Sequence, residues 1–181
     1  MIEKFDVIVI GAGAAGMMCA IEAGKRGRKV LLLDHAKKIG EKIRISGGGR
    51  CNFTNIHTHP SKFISNNPKF VISALKQYTQ NDFIDLIKKH SIKFHEKKLG
   101  QLFCDESAQQ IIDMLLLECE TANVVLKKET VIEDVNKLED KYFITIGHGK
   151  YFCDSLIIAT GGLSIPKIGA SKFGYDIAQK F

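Results

Sequence analysis

The feature that most constrains the fold is the run GAGAAG at residues 11–16, which lies between two apolar segments. Residues 5–10, FDVIVI, predict a buried strand that ends where the glycines begin. Residues 14–26 predict a helix, and residues 29–33 predict a second strand that ends on Asp34. This order of strand, glycine turn, helix, strand and acid is typical of a βαβ unit that binds dinucleotides.

Each glycine of this run has its own predicted role. Gly11 allows a tight turn, Gly13 lets a pyrophosphate approach the main chain, and Gly16 lets the helix pack closely on the strand. The helix start offers free N–H groups and positive potential to the phosphates. The Asp34 carboxylate can accept hydrogen bonds from a ribose diol. For the helix, the sequence predicts an apolar side formed by Ala15, Met18, Cys19 and Ala23.

The rest of the chain alternates short helices and strands. A helix is predicted over 69–90 with a break near 79–81, and another from Ser107 onwards, with short strands at 92–94, 100–103 and 124–126. An antiparallel β-meander is predicted at 130–135, 142–146 and 151–153, followed by a strand from 155 that ends in ATGG. This order resembles the FAD-binding domain of two-dinucleotide-binding flavoproteins, which favours FAD over NAD.

A second glycine cluster lies in ISGGGRCNFTN at residues 45–55. Its glycines let the main chain lie against a ligand, and their N–H groups can form an anion-binding nest. Arg50 can neutralise a phosphate or a reduced flavin, while Cys51 and Asn52 can hydrogen-bond the ring edge. We therefore expect the cluster to run from the ribose end of FAD along the pyrophosphate towards the ring.

Four segments together are similar to one family. They are VIVIGAGAAG (7–16), LLLDHAKKIGEKIRISGGGRCNFTN (31–55), GQLF with the following helix (100–117), and IIATGGLSIPKIGASKFGYDIAQ (157–179). The chain resembles the YhiN/BaiN-like bacterial flavoproteins, often labelled an aminoacetone oxidase family, one branch of which is associated with bile-acid reduction. The resemblance implies FAD binding and an oxidoreductase fold.

The resemblance also implies a second, substrate-side domain after ATGG and a returning segment that completes the flavin site. We therefore expect residues 1–181 to be the N-terminal part of an FAD/NAD(P)-binding Rossmann-like α/β domain that is incomplete at its C-terminus. A complementing C-terminal half or self-association is the expected protein partner. The cofactor-binding residues expected from the motifs and the resemblance are Gly11, Ala12, Gly13, Ala14, Ala15, Gly16, Asp34, His35, Lys42, Ser46, Gly47, Gly48, Gly49, Arg50, Cys51, Asn52, Val131, Thr160 and Gly161.

Three of these residues have a second interpretation. His35 contacts the adenosine half of FAD or simply faces water. Val131 meets the adenine through its backbone, as the resemblance implies, or is an ordinary core valine. Cys51 lies beside Arg50 and is interpreted as a cofactor contact rather than as a redox thiol. Cys51, His57 and His59 could together be metal ligands, but a fourth ligand at the spacing of a zinc site is missing.

Composition narrows the function classes. The formal charge is +6, but the lysines are spread along the chain and there is no Trp, so we expect no nucleic-acid partner. No apolar run is long enough to cross a bilayer, and five scattered cysteines without a C-x-x-C pair fit reduced thiols; we expect a cytoplasmic protein with no membrane partner.

The sequence thus predicts an FAD-dependent oxidoreductase that transfers a hydride through flavin N5 to or from a small organic substrate, with NAD(P)H as a candidate electron donor. No general acid or base can be named. Two further interpretations stay open at this point: an NAD(P)-dependent reductase without flavin, and a truncated or split nucleotide-binding fragment without catalysis.

Overall fold

In the computed structural model, which describes residues 2–147, 149–165 and 169–181, the chain forms α-helices, β-strands and short 3₁₀ turns. The strands are β1 (Ile2–Ile10), β2 (Val30–Leu33), β3 (Asn52–Asn55), β4 (Phe94–Glu96), β5 (Gln101–Cys104), β6 (Val125–Lys127), β7 (Ile132–Leu138), β8 (Lys141–Ile146) and β9 (Gly149–Ile158). The helices are α1 (Ala14–Lys25), α2 (Glu41–Ile45), α3 (Ile72–Gln77), α4 (Gln80–Lys89), α5 (Gln109–Thr121) and α6 (Phe173–Lys180).

The chain divides into two compact units, with one boundary inside α2 and the other inside α5. The first unit comprises Met1–Lys42 and Leu115–Phe181, and the second unit comprises Ile43–Met114. Two predicted features fall partly outside the described residues: His148 in the turn at 147–150, and Pro166, Lys167 and Ile168 in the family-like segment 157–179.

The first unit is built on a six-stranded mixed sheet in the order β6-β2-β1-β9-β8-β7. β1 lies between β2 and β9 and runs parallel to both, so that Val7 is level with Val30 on one side and Ser155 on the other. Strands β7, β8 and β9 form an antiparallel meander. The predicted βαβ unit and the predicted meander are therefore both confirmed, and they share one sheet.

Strand β9 differs from the prediction of two separate strands at 151–153 and 155 onwards. It is continuous from Gly149 to Ile158, and its first half pairs with β8 while almost all of it pairs with β1. Asp154, the polar residue between the two predicted strands, is exposed and lies beside Lys141 and Lys4. Because its carboxylate stays in water, it does not interrupt the strand.

Helix α1 occupies the predicted range, but its buried side is shifted by about one residue relative to the prediction. Gly16 faces the Gly11 carbonyl so closely that a Cβ there would lie 1.8 Å from the oxygen, so the helix packs on the turn through this glycine. The fully buried positions of α1 are Gly16, Met17, Ala20 and Ile21, whereas Ala15 is exposed.

The second unit contains a small antiparallel sheet in the order β3-β5-β4. Phe53 of β3 packs against Phe83 and Phe94, with ring centroids 6.0 and 5.5 Å away. The predicted break in the helical segment is confirmed, because Thr79 ends the α3 region and caps α4. Its side chain accepts from the N–H of Asp82, whose carboxylate accepts from the N–H of Thr79 in return.

Within the described ranges, none of the helices combines the length and the apolar character that a bilayer crossing requires.

Candidate functional site

The turn between β1 and α1 leaves no room for side chains at two of its glycines. Gly11 has φ +106°, and a Cβ there would lie 2.5 Å from the carbonyl oxygen of Ala159. A Cβ at Gly16 would lie 1.8 Å from the carbonyl oxygen of Gly11. These contacts match the predicted roles of a tight turn and of close packing between helix and strand.

Gly13 is different, because it faces open space. A Cβ added there would meet no atom within 4 Å. Gly13 is also the N-cap of α1, and no side chain caps the helix. The first-turn N–H groups of an α-helix have no acceptor within the helix, and they carry positive potential. Main-chain donors beside open space, without a competing side chain, fit the pyrophosphate of a dinucleotide.

The remaining predicted residues of this turn have contrasting environments. Ala14 and Ala15, in the first turn of α1, are exposed. Ala12 is fully buried, and its N–H donates to the Asp34 carboxylate at 2.6 Å. The turn is thus held at Ala12 by its hydrogen bond to Asp34, whereas the start of α1 borders open space.

Asp34 holds the glycine turn in place. Besides the bond from Ala12, its other carboxylate oxygen accepts the N–H of Ala36 at 2.8 Å, and its side chain is only 11% exposed. A carboxylate oxygen has two acceptor sites, so each oxygen keeps one for a ribose hydroxyl. The sequence predicts only the ribose contact; the structure adds an anchoring role that the spacing alone did not indicate.

Three other predicted residues of the first unit lie at its surface. The exposed imidazole of His35 is next to Gly169, where a Cβ would come within 2.8 Å of Nε2. Lys42 donates from Nζ to the Ser164 hydroxyl at 2.6 Å. Val131 is 68% exposed, so the interpretation as an ordinary core valine is wrong.

The turn that follows β9 carries a buried hydroxyl with no hydrogen-bond partner among the residues that the structure describes. Thr160 Oγ1 is inaccessible to solvent and unpaired within the described part of the chain. A Cβ at Gly174, in α6, would lie only 2.7 Å from that oxygen. Gly161 has φ +74°, and a Cβ there would meet nothing within 4 Å. A buried donor beside an open glycine is the second feature of this unit that fits a polar cofactor.

In the second unit, the triple glycine forms a left-handed turn. Gly47, Gly48 and Gly49 have φ values of +58°, +67° and +86°, a run that only glycine adopts without steric cost. A Cβ at Gly47 would collide with the Phe103 ring at 2.6 Å, whereas Gly48 and Gly49 face open space. The cluster is therefore explained first by backbone conformation.

The residues around this turn are tied to β5 and the loop after it. The Gly49 carbonyl accepts from Ala108 N–H at 2.7 Å, and the Arg50 carbonyl accepts from Cys104 N–H at 2.9 Å. Ser46 donates its hydroxyl to the Ile43 carbonyl at 2.8 Å. The Arg50 side chain is exposed. Asn52 begins β3 opposite Phe103.

Cys51 is not built as a reactive thiol. It is buried with φ +50°, and burial raises the pKa of its thiol above the ordinary value, an effect that a hydrogen bond with Ser46 only partly opposes. The thiolate is the reactive form of cysteine. This environment argues against a redox role, and the cofactor contact stays a prediction.

The predicted residues are thus divided between the two units. Those at 11–16, 34, 35, 42, 131, 160 and 161 belong to the first unit, and those at 46–52 belong to the second. Ser164, Gly169 and Gly174 contact predicted residues but were not predicted themselves. The glycines of GGLSIPKIGASKFGY were a signal for two of them, since a glycine marks close approach.

A mixed sheet with a meander, and a glycine turn opening at an uncapped helix, define a Rossmann domain of the kind that flavoproteins use to bind FAD. The chain belongs to the HI0933-like protein Rossmann domain family, whose sequence model matches residues 5–181. The predicted fold class, FAD as cofactor and the flavoprotein oxidoreductase class are confirmed at this level.

Three curated relatives are similar over nearly all of this chain. A ribosomal RNA dihydrouridine synthase of Escherichia coli (strain K12) is 55% identical over 99% of this chain and 45% of its own length. A protein of the same name from Haemophilus influenzae is 47% identical over 100% of this chain and 46% of its own length. A 3-dehydro-bile acid delta(4,6)-reductase of Clostridium scindens is 28% identical over 94% of this chain and 42% of its own length. The chain spans about half the length of these relatives.

Among solved structures, the halogenase PltM in complex with phloroglucinol and FAD superposes with a TM-score of 0.54. The match covers 90% of this chain and 35% of that protein, at 18% identity. A likeness at this identity supports the fold.

Proposed function

We propose that this chain is the FAD-binding part of a flavoenzyme that reduces uridine in ribosomal RNA to dihydrouridine. One observation carries the proposal: the 55% identity with the Escherichia coli synthase extends over 99% of the chain. The identity falls to 28% for the bile-acid reductase, which makes a steroid-like substrate the weaker candidate. Because the chain spans about half of each relative, the activity of the whole protein is part of the proposal.

The proposal assigns the dinucleotide to the turn at residues 11–16. The first-turn N–H groups of α1 hydrogen-bond the pyrophosphate beside Gly13, where an added Cβ would meet no atom within 4 Å. Asp34 keeps the turn in shape through Ala12 and offers its remaining acceptor sites to the ribose. Thr160 donates its unpaired hydroxyl to the cofactor beside Gly161.

The rest of the cofactor contacts are predictions from the sequence. They place the backbone of Val131 at the adenine, His35 at the adenosine half, and Lys42 with residues 46–52 along the phosphates and towards the ring.

Dihydrouridine differs from uridine by one hydride and one proton added across the C5–C6 double bond. FAD, when bound, supplies hydride transfer through its N5 atom, with NAD(P)H as the proposed electron donor. The part of this chain is to bind and orient the cofactor, and none of its described residues is assigned as the proton donor.

This proposal departs from two expectations drawn from the sequence, an unidentified small organic substrate and the absence of a nucleic-acid partner. Both stay untested predictions. An NAD(P)-dependent reductase without flavin and a non-catalytic fragment are the two functions that compete with a flavoenzyme of either kind.

The deciding experiment incubates the FAD-loaded protein, at its natural length, with in vitro transcribed ribosomal RNA and NADH or NADPH. Mass spectrometry of the digested RNA then measures dihydrouridine. We expect its formation to depend on FAD and to fall in Gly13→Ala when FAD is limiting. A yellow protein that reduces no uridine but oxidises a small amine or carbonyl compound would refute the proposal. A colourless protein that shifts no added FAD would favour the flavin-free reductase or the non-catalytic fragment.

A further inference from the structure

The second unit contains a segment whose large apolar side chains point to solvent. In this Lys–aromatic segment, defined as residues 62–78, Phe63 is 44% exposed, Phe70 is 77% exposed and Ile64 is fully exposed. Tyr78 is exposed at its end. Single exposed apolar residues are ordinary on protein surfaces, but a group of them in one short segment marks an interaction surface.

The same segment is strongly and evenly basic. Lys62, Lys69 and Lys76 recur every seven residues, and aromatic residues follow them as Lys62-Phe63, Lys69-Phe70 and Lys76-Gln77-Tyr78. No Asp or Glu lies between Glu41 and Asp82. The three lysines are exposed, and none of them forms an ion pair with any residue that the structure describes. Their charge is therefore available to an anionic partner.

Local hydrogen bonds, rather than burial, shape this segment. Ser65 and Asn67 form a turn in which Asn67 N–H donates to Ser65 Oγ at 3.1 Å and Lys69 N–H donates to Asn67 Oδ1 at 3.2 Å. A 3₁₀ turn at Pro60–Lys62 begins after His59, whose ring accepts from Ser61 N–H at 3.3 Å. The segment thus has a defined backbone while its aromatic side chains stay in solvent.

We propose that the Lys–aromatic segment binds single-stranded RNA, with Phe63 and Phe70 stacking on bases and the three lysines neutralising phosphates. Proteins bind single strands through this combination of cationic groups and aromatic platforms. The inference rests on the proposed function, since it supplies the enzyme with a binding surface for its polyanionic substrate. An enzyme that acts on a base must take it out of the stack, which requires contacts to the unstacked strand.

Charge complementarity favours RNA over a protein or a membrane. A surface covered by another part of the protein would have no need of a stretch without a single carboxylate, because cations that become buried must be paired. The longest helix of the segment, α3, has six residues, too few for a membrane-surface helix with a continuous apolar face. A protein surface and an anionic membrane are therefore outcomes to be tested.

The test uses the FAD-loaded protein at its natural length and a fluorescein-labelled oligouridylate of about 12 nucleotides, a length within the range of single-strand sites. Anisotropy titrations at several salt concentrations compare the wild type with F63A/F70A and with K62Q/K69Q/K76Q. The control K137Q/L138A removes a Lys–apolar pair that is also exposed, from the tip of the β7–β8 hairpin. FAD absorbance and thermal melting verify that each variant remains folded.

We expect F63A/F70A to weaken binding by roughly 5- to 150-fold for each aromatic lost. The lysine variant should lower the salt slope by about 2, since each phosphate contact on a single strand contributes about 0.7. The control should bind as the wild type does. Both segment variants should also form less dihydrouridine in ribosomal RNA.

The outcomes separate this inference from the proposed function. If the wild type forms dihydrouridine while both segment variants bind RNA normally, the inference is wrong and the proposed function stands. If the wild type forms none but binds oligouridylate through the segment, the proposed function fails and the RNA surface stands. Binding to anionic vesicles in place of oligouridylate, or a loss of FAD or of the native oligomeric state with unchanged RNA affinity, would assign the surface to a membrane or a protein and overturn the inference.

Discussion

Alanine at Gly13 and alanine at Gly16 should affect different properties. Gly13→Ala should weaken cofactor binding, whereas Gly16→Ala should destabilise the fold. A Cβ at Gly16 would lie 1.8 Å from the carbonyl oxygen of Gly11 and 3.3 Å from the Cβ of Ala159. The first neighbour is backbone, so relief requires a shift of the whole turn. Overpacking costs about 1–3 kcal/mol, and a backbone contact places Gly16→Ala near 3 kcal/mol.

At Gly13 no atom lies within 4 Å of an added Cβ, and φ −83° with ψ −172° is accessible to alanine. We therefore expect the free energy of unfolding to change by less than about 1 kcal/mol in Gly13→Ala. The methyl group would stand where the pyrophosphate approaches. Loss of one hydrogen bond to a charged group, about 1.5–3 kcal/mol, weakens FAD binding by about 10- to 150-fold.

Thermal unfolding of the apo protein followed by circular dichroism, and FAD titration followed by quenching of flavin fluorescence, measure the two effects. A loss of 3 kcal/mol lowers Tm by about 6–12 °C in a chain of this size. Gly149→Ala is the control, because its Cβ also meets no atom within 4 Å, far from the turn in sequence. Wild-type FAD affinity in Gly13→Ala would place the phosphates elsewhere, and a wild-type Tm in Gly16→Ala would contradict the packing of the turn.

Three further predictions concern stability. Asp34→Asn turns an amide nitrogen towards one of two backbone donors, so we expect a loss of about 1–3 kcal/mol in urea unfolding of the apo protein. Lys25 Nζ lies 2.9 Å from the carboxylate of Glu118, whose side chain is 3% exposed against 45% for the lysine. Lys25→Met should therefore cost more, about 3 kcal/mol, than Glu118→Gln, about 1 kcal/mol, and the reverse order in urea unfolding would refute this account. Burial, reinforced by Cys51, raises the pKa of Cys104 to about 12. The resulting stability is present below the ordinary value near 9 and is lost as pH rises towards 12, so urea midpoints should fall over that range, and less steeply in Cys104→Ala.

The βαβ unit could be predicted from sequence because its signals are local. A β-branched run, a glycine turn and a terminal acid follow one another within residues 5–34, and each element depends on its own residues. The break before α4 was visible for the same reason, since Thr79 and Asp82 form a capping box within one turn. The second glycine cluster was recognised in the sequence. The sequence did not indicate that these glycines are required because the backbone there is left-handed.

Features that depend on distant neighbours could not be predicted. The anchoring role of Asp34 depends on the N–H of Ala12, which lies 22 residues earlier, in the turn between β1 and α1. The exposure of Phe63 and Phe70 was also hidden, because sequence patterns assign large apolar residues to the core by default. Because the lysines are spread along the whole chain, the sequence alone did not indicate that three of them lie beside exposed aromatic residues.

The pairing of β1 with β9 has a consequence for synthesis of the protein on the ribosome. Ile2 is paired with Lys150 and Ile10 with Ile158, so β1 must await a strand that is translated much later. At typical elongation rates of about 5–20 residues per second, β1 lacks this neighbour for roughly 7–30 s. During that interval one edge of the nascent sheet is an apolar strand with free backbone groups, a natural substrate for chaperones that shield unpaired strands until translation reaches β9.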